Sequence, residues 1–256
     1  MKVASWNVNS LKVRLPHVLD WLATESPDVL ALQETKLTDE NFPVDEIKEA
    51  GYQVAFAGQK TYNGVALITR DSLDEVVTDV EGLDDPSRRI IAATVGDLRV
   101  VNLYVVNGKA VGSDKYEHKL KWLGHVTDFL ASQLDEHPLT VVVGDFNIAP
   151  DDRDVHDPKR WHEKILCSTP ERDALLAVYD LGFADTFRLH HDDGGHFSWW
   201  DYRMGGFERG LGLRIDLVLA SPELTEMCAA AYIDTAPRQL ERPSDHTPVV
   251  AEFDLY

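Results

Sequence analysis

Five separate stretches of this chain share one design, a run of apolar residues that ends on an oxygen-bearing side chain. They are Val3-Ala4-Ser5-Trp6-Asn7, Asp28-Val29-Leu30-Ala31-Leu32-Gln33-Glu34, Thr140-Val141-Val142-Val143-Gly144-Asp145-Phe146-Asn147, Arg214-Ile215-Asp216-Leu217-Val218 and Ser244-Asp245-His246-Thr247-Pro248-Val249-Val250. A carboxylate beside an apolar core is costly unless it is paired or holds a metal. Together the five stretches predict one acidic site that binds a hard cation and acts on phosphate.

Each residue suggests a role. Asp145 and Asn147 stand two apart, so on a strand they share a face. Asp145 is expected to act as a general base for water, with Asn147 orienting it. Glu34 is expected to ligate Mg²⁺, which prefers one or two carboxylates and keeps several waters. Asn7 would hydrogen-bond those waters, and Asp245 offers a further ligand. Asp216 reads as a mid-strand acid between Ile215 and Leu217, an expensive place for an unpaired charge. It is expected to pair with His246 and favour the imidazolium. Tyr104, at the end of Val100-Val101-Asn102-Leu103, places a phenol near the phosphate. His190, His191 and His196 make only a weak metal pattern in a loop rich in Gly and Asp.

These side chains must be carried by strands and helices. Asn9 or Ser10 can cap a helix with the apolar stripe Leu11, Leu15, Val18, Leu19 and Leu22, stopped at Ser26-Pro27. A short helix from Val44 to Ala50 ends at Gly51. Strands are expected at Tyr52–Ala57, Gly64–Thr69, Ile90–Val95 and Arg99–Val105. A long helix from Tyr116 to Glu136 precedes the strand into Asp145. Ser168-Thr169-Pro170-Glu171 has the form of a capping box with an early proline. Strands at Phe197–Trp200, Leu213–Ala220, Ala229–Ile233 and Pro248–Asp254 complete the pattern. Strands outnumber helices too far for a doubly wound sheet. The expected fold is α/β, two mixed sheets packed face to face with helices outside. With 256 residues and no Pro/Gly/Ser linker, residues 1–256 are expected to form a single domain.

Two cysteines, Cys167 and Cys228, exclude a disulfide framework. No stretch approaches the roughly 20 apolar residues of a membrane span, and no signal peptide opens the chain, so a cytoplasmic protein is expected. The net charge of −19 argues against nucleic acid at long range. Screening over about 8 Å at physiological salt lets a local basic rim and a bound cation outweigh distant acids.

The motifs Trp6-Asn7-Val8-Asn9-Ser10, Leu32-Gln33-Glu34-Thr35-Lys36, Gly144-Asp145-Phe146-Asn147, Phe197-Ser198-Trp199-Trp200-Asp201-Tyr202-Arg203, Gly212-Leu213-Arg214-Ile215-Asp216 and Ser244-Asp245-His246 resemble the exonuclease III family of DNA-repair nucleases. The resemblance runs the length of the chain. It implies a four-layer α/β sandwich and an enzyme using Mg²⁺ or Mn²⁺. Such enzymes act on double-stranded DNA with abasic sites or 3′ ends. They cut 5′ to the lesion, trim 3′ ends and remove 3′ blocking groups. By this resemblance Glu34 holds the metal, with Asn7, Asp145, Asn147, Asp245 and His246 around it. Asp145 activates water, Asn147 positions it, His246 with Asp216 steadies the phosphate, and Tyr104 lies by the scissile bond. Trp199, Leu213 and Ile215 would form a pocket for a baseless sugar, with Trp200 also on the DNA side unless it packs in the core. Arg88, Asn107, Lys109, Lys115 and Arg203 would contact the DNA backbone. A monomer is expected, and no protein partner is evident.

Val105-Val106-Asn107-Gly108 departs from the family, where many members place a proline before this turn. Rival readings are a phosphohydrolase of the same superfamily acting on lipids, inositol phosphates or RNA, and a binding protein that kept the fold but lost catalysis. The chain-long match favours DNA over the first. The presence of Glu34, Tyr104, Asp145, Asn147, Asp216, Asp245 and His246 speaks against the second.

Overall fold

The computed structural model describes residues 1–80, 82–83 and 86–255. The first half of the chain forms β1 (Lys2–Asn7), α1 (Leu11–Glu25), β2 (Val29–Gln33), α2 (Val44–Glu49), β3 (Gln53–Ala57), β4 (Val65–Thr69), β5 (Asp74–Val77), β6 (Ile90–Val95) and β7 (Leu98–Tyr104). The second half forms α3 (Asp114–Glu136), β8 (Thr140–Asp145), α4 (Pro158–Trp161), α5 (Thr169–Asp180), β9 (Ala184–Asp185), α6 (Thr186–His190), β10 (Trp199–Trp200), β11 (Gly212–Leu213), β12 (Asp216–Ala220), α7 (Pro222–Thr225), β13 (Cys228–Ile233) and β14 (Val249–Phe253). Two six-stranded sheets result, in the orders β13-β14-β1-β2-β4-β3 and β5-β6-β7-β8-β12-β9. They pack face to face. Helices α1 and α2 cover the outer face of the first sheet, and α3 and α5 cover that of the second.

The two-residue period of the strands explains the layers. Val3, Val29, Ala31 and Leu67 of the first sheet meet Val100, Val141, Val143 and Val218 of the second in the central core. Their sequence neighbours Ala4, Trp6, Leu30 and Leu32 face α1 instead. Val142 and Leu219 face α3 and α5. Carried forward by the same alternation, Asn7, Gln33, Asp145 and Asp216 all fall on the inter-sheet side at one end of the sandwich. The apolar runs of β2, β4, β8 and β12 are buried on both faces, as continuous hydrophobic strands should be.

Among the described residues, only the pairs β1–β2 and β7–β8 are parallel. β14 runs antiparallel to β1, and β12 runs antiparallel to β8. The starts of β12 and β14 therefore lie beside the ends of β1, β2 and β8. Asp216 is thus the first residue of its strand, facing Asp145 across the ladder, and not a mid-strand acid. The expected strand Leu213–Ala220 is broken because Arg214 N–H donates to the Asp154 carbonyl at 2.9 Å, which diverts the chain. β11 pairs instead with β10 in a small separate ribbon. β5 was not anticipated; it is short and mostly exposed at a sheet edge, where hydrophobic patterning is weak. Gly144 has φ 146°, and a Cβ there would meet the Leu103 carbonyl oxygen at 1.9 Å. Only glycine lets β8 lie this close to β7.

One polar seam crosses the central core. Asn102 on β7 donates from Nδ2 to the Leu32 and Ala66 carbonyls of the opposite sheet, at 2.9 and 3.0 Å. Gln33 Nε2 donates to Asn102 Oδ1 at 2.7 Å and to Ser5 Oγ at 3.0 Å. All three side chains are buried. This seam fixes how the sheets slide against each other just below the acidic end. Asn102→Ala is expected to destabilise the protein by about 2–4 kcal/mol, because it strands several buried partners at once. Urea unfolding measures this, and a loss below about 1 kcal/mol would refute the bracing role.

Candidate active site

The acidic end collects its groups from both sheets. Asn7 closes β1 and bridges two carboxylates, its Nδ2 donating to Glu34 Oε1 and to Asp145 Oδ2, both at 2.9 Å. Glu34 follows β2 with φ 53°, a left-handed kink that swings it out of the strand. Lys36 Nζ sits 2.9 Å from Glu34 Oε2. Burial works against the Glu34 carboxylate, but Lys36 and the Asn7 amide outweigh it and hold its pKa below the usual value.

Across the mouth, Asp145 and Asp216 are each 1% exposed and His246 is 4% exposed. His246 Nδ1 lies 2.8 Å from Asp216 Oδ2, and His246 Nε2 lies 3.6 Å from Asp145 Oδ2. Ser198 Oγ locks Asp216, donating to Oδ2 at 2.6 Å and accepting from the Ile215 and Asp216 amides. Burial alone would discharge the imidazole. The carboxylates of Asp216 and then Asp145 overturn this and raise the His246 pKa to about 10. Burial pushes the Asp145 carboxyl up to about 7, with His246 opposing the rise and Asp216 adding to it. Tyr104 is held well above its ordinary pKa by burial and by Glu34 and Asp145, so it stays a phenol and a donor.

Asn147 reaches the site by a different route from the one the sequence suggested. β8 ends at Asp145, so the two residues do not share a strand face. The backbone instead turns through a left-handed Asn147 with φ 49°. Asn147 N–H donates to Asp145 Oδ1 at 2.9 Å, its Nδ2 donates to the Val105 carbonyl at 3.0 Å, and its Oδ1 accepts from Asn107 Nδ2 at 2.9 Å.

Ligand atoms of Glu34, Asp145 and His246 lie within 4.8 Å of one another, a group able to hold a metal ion. Two carboxylates suit a hard divalent cation, with the Asn7 amide turning its Nδ2 toward both of them and its Oδ1 toward the Asn9 N–H. Asp245 falls outside this group. Its Oδ1 accepts from Asn9 Nδ2 at 2.9 Å and its Oδ2 from Trp199 Nε1 at 3.0 Å, so both oxygens are engaged. Asn9 therefore serves Asp245, and its expected role as a helix cap is not observed. Neither does Ser10 form a side-chain capping bond. His190, His191 and His196 do not converge on a metal among the described residues. Their ring nitrogens lie against Cys228 Sγ, the Ala231 carbonyl and Asp193.

Of the residues expected on the DNA side, Trp199 is half-buried with its ring 6.5 Å from that of His246. Trp200 is 4% exposed, packed edge-on against Phe207 and covered by Arg238, so it is a core residue and offers no DNA surface. Leu213 and Ile215 are also buried, joined to Ala149, Val155, Leu166 and Cys167. They back Trp199 without opening to solvent. Asn107 reaches Asn147 as described. Lys109, Lys115 and Arg203 are exposed, and Arg88 is half-buried and paired with Asp79 at 2.9 Å. Asn9, Lys36 and Ser198 belong to the site, where the sequence assigned them no role. Lys36, two residues beyond Glu34 in an already conspicuous motif, was the one with a local signal.

The His246–Asp216 pair gives a direct test. In metal-free protein the imidazole should stay charged through neutral pH. Its folded pKa lies above the unfolded value of about 6.5, so its stabilising contribution is full below that pH and is lost as pH rises through the folded value. Asp216→Asn removes the leading counter-charge while burial persists, so the titration should move down by several units. NMR of the His246 ring protons in EDTA reads this, and an unmoved titration would refute the pairing.

A family model for the endonuclease/exonuclease/phosphatase family matches residues 4–246. Exodeoxyribonuclease III of Haemophilus influenzae is 37% identical, with the alignment covering 99% of this chain and 100% of that protein. Among solved structures, a 3′ phosphatase from Neisseria bound to a product DNA hairpin superposes with a TM-score of 0.98 at 47% identity, covering both chains in full. An AP endonuclease from Archaeoglobus fulgidus superposes with a TM-score of 0.96 at 38% identity, also covering both chains in full. The clustered carboxylates, the charged imidazole and the two-sheet sandwich thus sit in a chain that belongs to the endonuclease/exonuclease/phosphatase family and resembles its exonuclease III branch.

Proposed function

We propose that this protein is a metal-dependent phosphodiesterase of DNA repair. It acts on duplex DNA as a 3′–5′ exonuclease, an abasic-site endonuclease cutting 5′ to the lesion, and a 3′ end-cleaning phosphatase. The observation that carries this reading is the Asn7–Glu34–Asp145–His246–Asp216 constellation at one mouth of the sandwich. The activities for which the relatives are named support the same substrate.

The residues divide the chemistry. Glu34, with Asp145 and the Asn7 side chain close by, would hold Mg²⁺ or Mn²⁺, which would supply positive charge to the phosphate oxygens and the leaving group. Asp145, buried and oriented by the Asn7 amide and the Asn147 N–H, takes the proton of the attacking water. Asn147, fixed at both ends of its amide, orients that water. The His246 imidazolium, held by Asp216, donates to a non-bridging phosphate oxygen as charge builds there. The Tyr104 phenol lies across from Glu34 and Asp145, where it can donate to the same phosphate. The half-exposed indole of Trp199 offers a flat wall for a sugar that lacks its base. Asn107, Lys109, Lys115 and Arg203 supply backbone contacts on the rim, which locally offset the overall acidity.

The test is cleavage of a synthetic abasic-site duplex, with sphingomyelin and inositol phosphates as competing substrates. Cleavage should require Mg²⁺ or Mn²⁺ and stop with EDTA. Asp145→Ala should lower kcat by about a thousandfold or more, as loss of one member of a catalytic set generally does. Preferential hydrolysis of the lipid or inositol substrates, or a near-normal rate for Asp145→Ala, would overturn the reading.

A further inference from the structure

The helical period of α3 places Tyr116, Trp122, Leu123, Val126 and Leu130 on its buried stripe. Lys119 occupies the same stripe, three residues from Tyr116 and from Trp122, and it is fully buried. A lysine seldom occupies such a place. Its ammonium has three protons and three acceptors: the Asn147 carbonyl at 2.7 Å, the Asn107 carbonyl at 3.3 Å and Glu171 Oε1 at 2.5 Å. Glu171 is equally buried and equally satisfied. It accepts from the Leu166 and Ser168 amides at 3.1 and 3.2 Å and from Ser168 Oγ at 2.7 Å, and Tyr116 Oη meets that hydroxyl at 2.8 Å.

A buried ion pair is a poor way to gain stability, because desolvation consumes most of the attraction and an apolar pair of similar volume often does as well. What this pair adds is position. The two carbonyls it grips belong to Asn107 and Asn147, whose side chains hydrogen-bond each other at the site. Both lie in loops with left-handed backbone, at Gly108 with φ 88° and at Asn147 with φ 49°. A Cβ on Gly108 would come within 3.2 Å of Lys119 Cδ, so the turn also rests on the lysine stem.

The geometry points to Lys119 as a positioning residue, a buried cation that pins the Asn107 and Asn147 loops to α3 and so sets where Asn147 holds the attacking water. Glu171 serves as its counter-charge. This rests on the functional reading above, and the experiment separates the two.

Three variants are compared on the abasic duplex with saturating Mg²⁺, each with its Tm, kcat and KM. Lys119→Met keeps the stem and removes the ammonium, leaving Glu171 uncompensated. Lys119→Met/Glu171→Gln removes both charges and should recover most of the lost Tm. Its kcat should still fall by about ten- to a hundredfold while KM stays within about threefold, since misplacement near a reacting atom costs rate and spares substrate affinity. Glu171→Gln alone keeps both carbonyl contacts of Lys119 and should hold kcat within about threefold of the parent even if Tm drops.

A double variant with parental kcat would overturn the positioning role, whatever its Tm. So would a Glu171→Gln variant that loses as much kcat as Lys119→Met, because the effect would then belong to the ion pair and not to the loop carbonyls. If the parent protein itself fails to cleave the duplex, the functional reading falls and this inference falls with it.

Discussion

The site depends on keeping one positive charge between buried negative ones. Asp145 and Asp216 face each other across the β8–β12 ladder, almost without solvent. Left alone, two such acids would repel, and burial already pushes the Asp145 carboxyl up. The His246 imidazolium between them makes the pair tolerable, and the pair in turn keeps the imidazole charged. Around this centre the protein arranges donors that hold each carboxylate in one direction. Ser198 does this for Asp216, Asn7 for Asp145, and Lys36 for Glu34. The outcome is a mouth whose electrostatics are set before any substrate or cation arrives, which is the condition under which fixed dipoles contribute most to catalysis.

The sandwich supplies this arrangement cheaply. Strand alternation puts Asn7, Asp145 and Asp216 on the same side of their sheets as the central apolar core, so each needs only to stand at the end of its strand to leave the hydrocarbon. Mixed strand directions then bring starts and ends of strands together at one edge. The Gln33–Asn102 seam lies one layer below and resists sliding of one sheet over the other. Glycine at 144 lets β7 and β8 approach closely, which carries Tyr104 alongside Asp145.

Much of this was legible in the sequence because it is written in local pattern. The apolar runs before Asn7, Glu34 and Asp145 marked their strands, and the stripe from Leu11 to Leu22 marked α1. What stayed hidden depends on partners far apart along the chain. Asn9 reads locally as a helix cap, but its amide is spent on Asp245, 236 residues away. Ser198 looks like an ordinary loop serine until Asp216 is placed against it. Asn147 was assigned to the right neighbourhood for the wrong reason, since periodicity could not foresee that the strand stops two residues earlier. Trp200 stays open between the DNA side and the core in the sequence, because two adjacent tryptophans on a strand face opposite ways and sequence alone does not say which one turns inward.

The pairing of β14 with β1 has a consequence for synthesis. β1 is held on one side by β2 and on the other by β14, which lies much later in the chain. Until β14 is made, β1 carries an unpaired edge, and Asn7 waits beside Glu34 without the histidine that completes the mouth. A ribosome-bound fragment therefore cannot assemble the full set of reactive groups, however well its early helices form. A polypeptide built this way assembles its chemistry only when β14 has returned to β1, so a copy that stops short of β14 lacks the complete cutting apparatus.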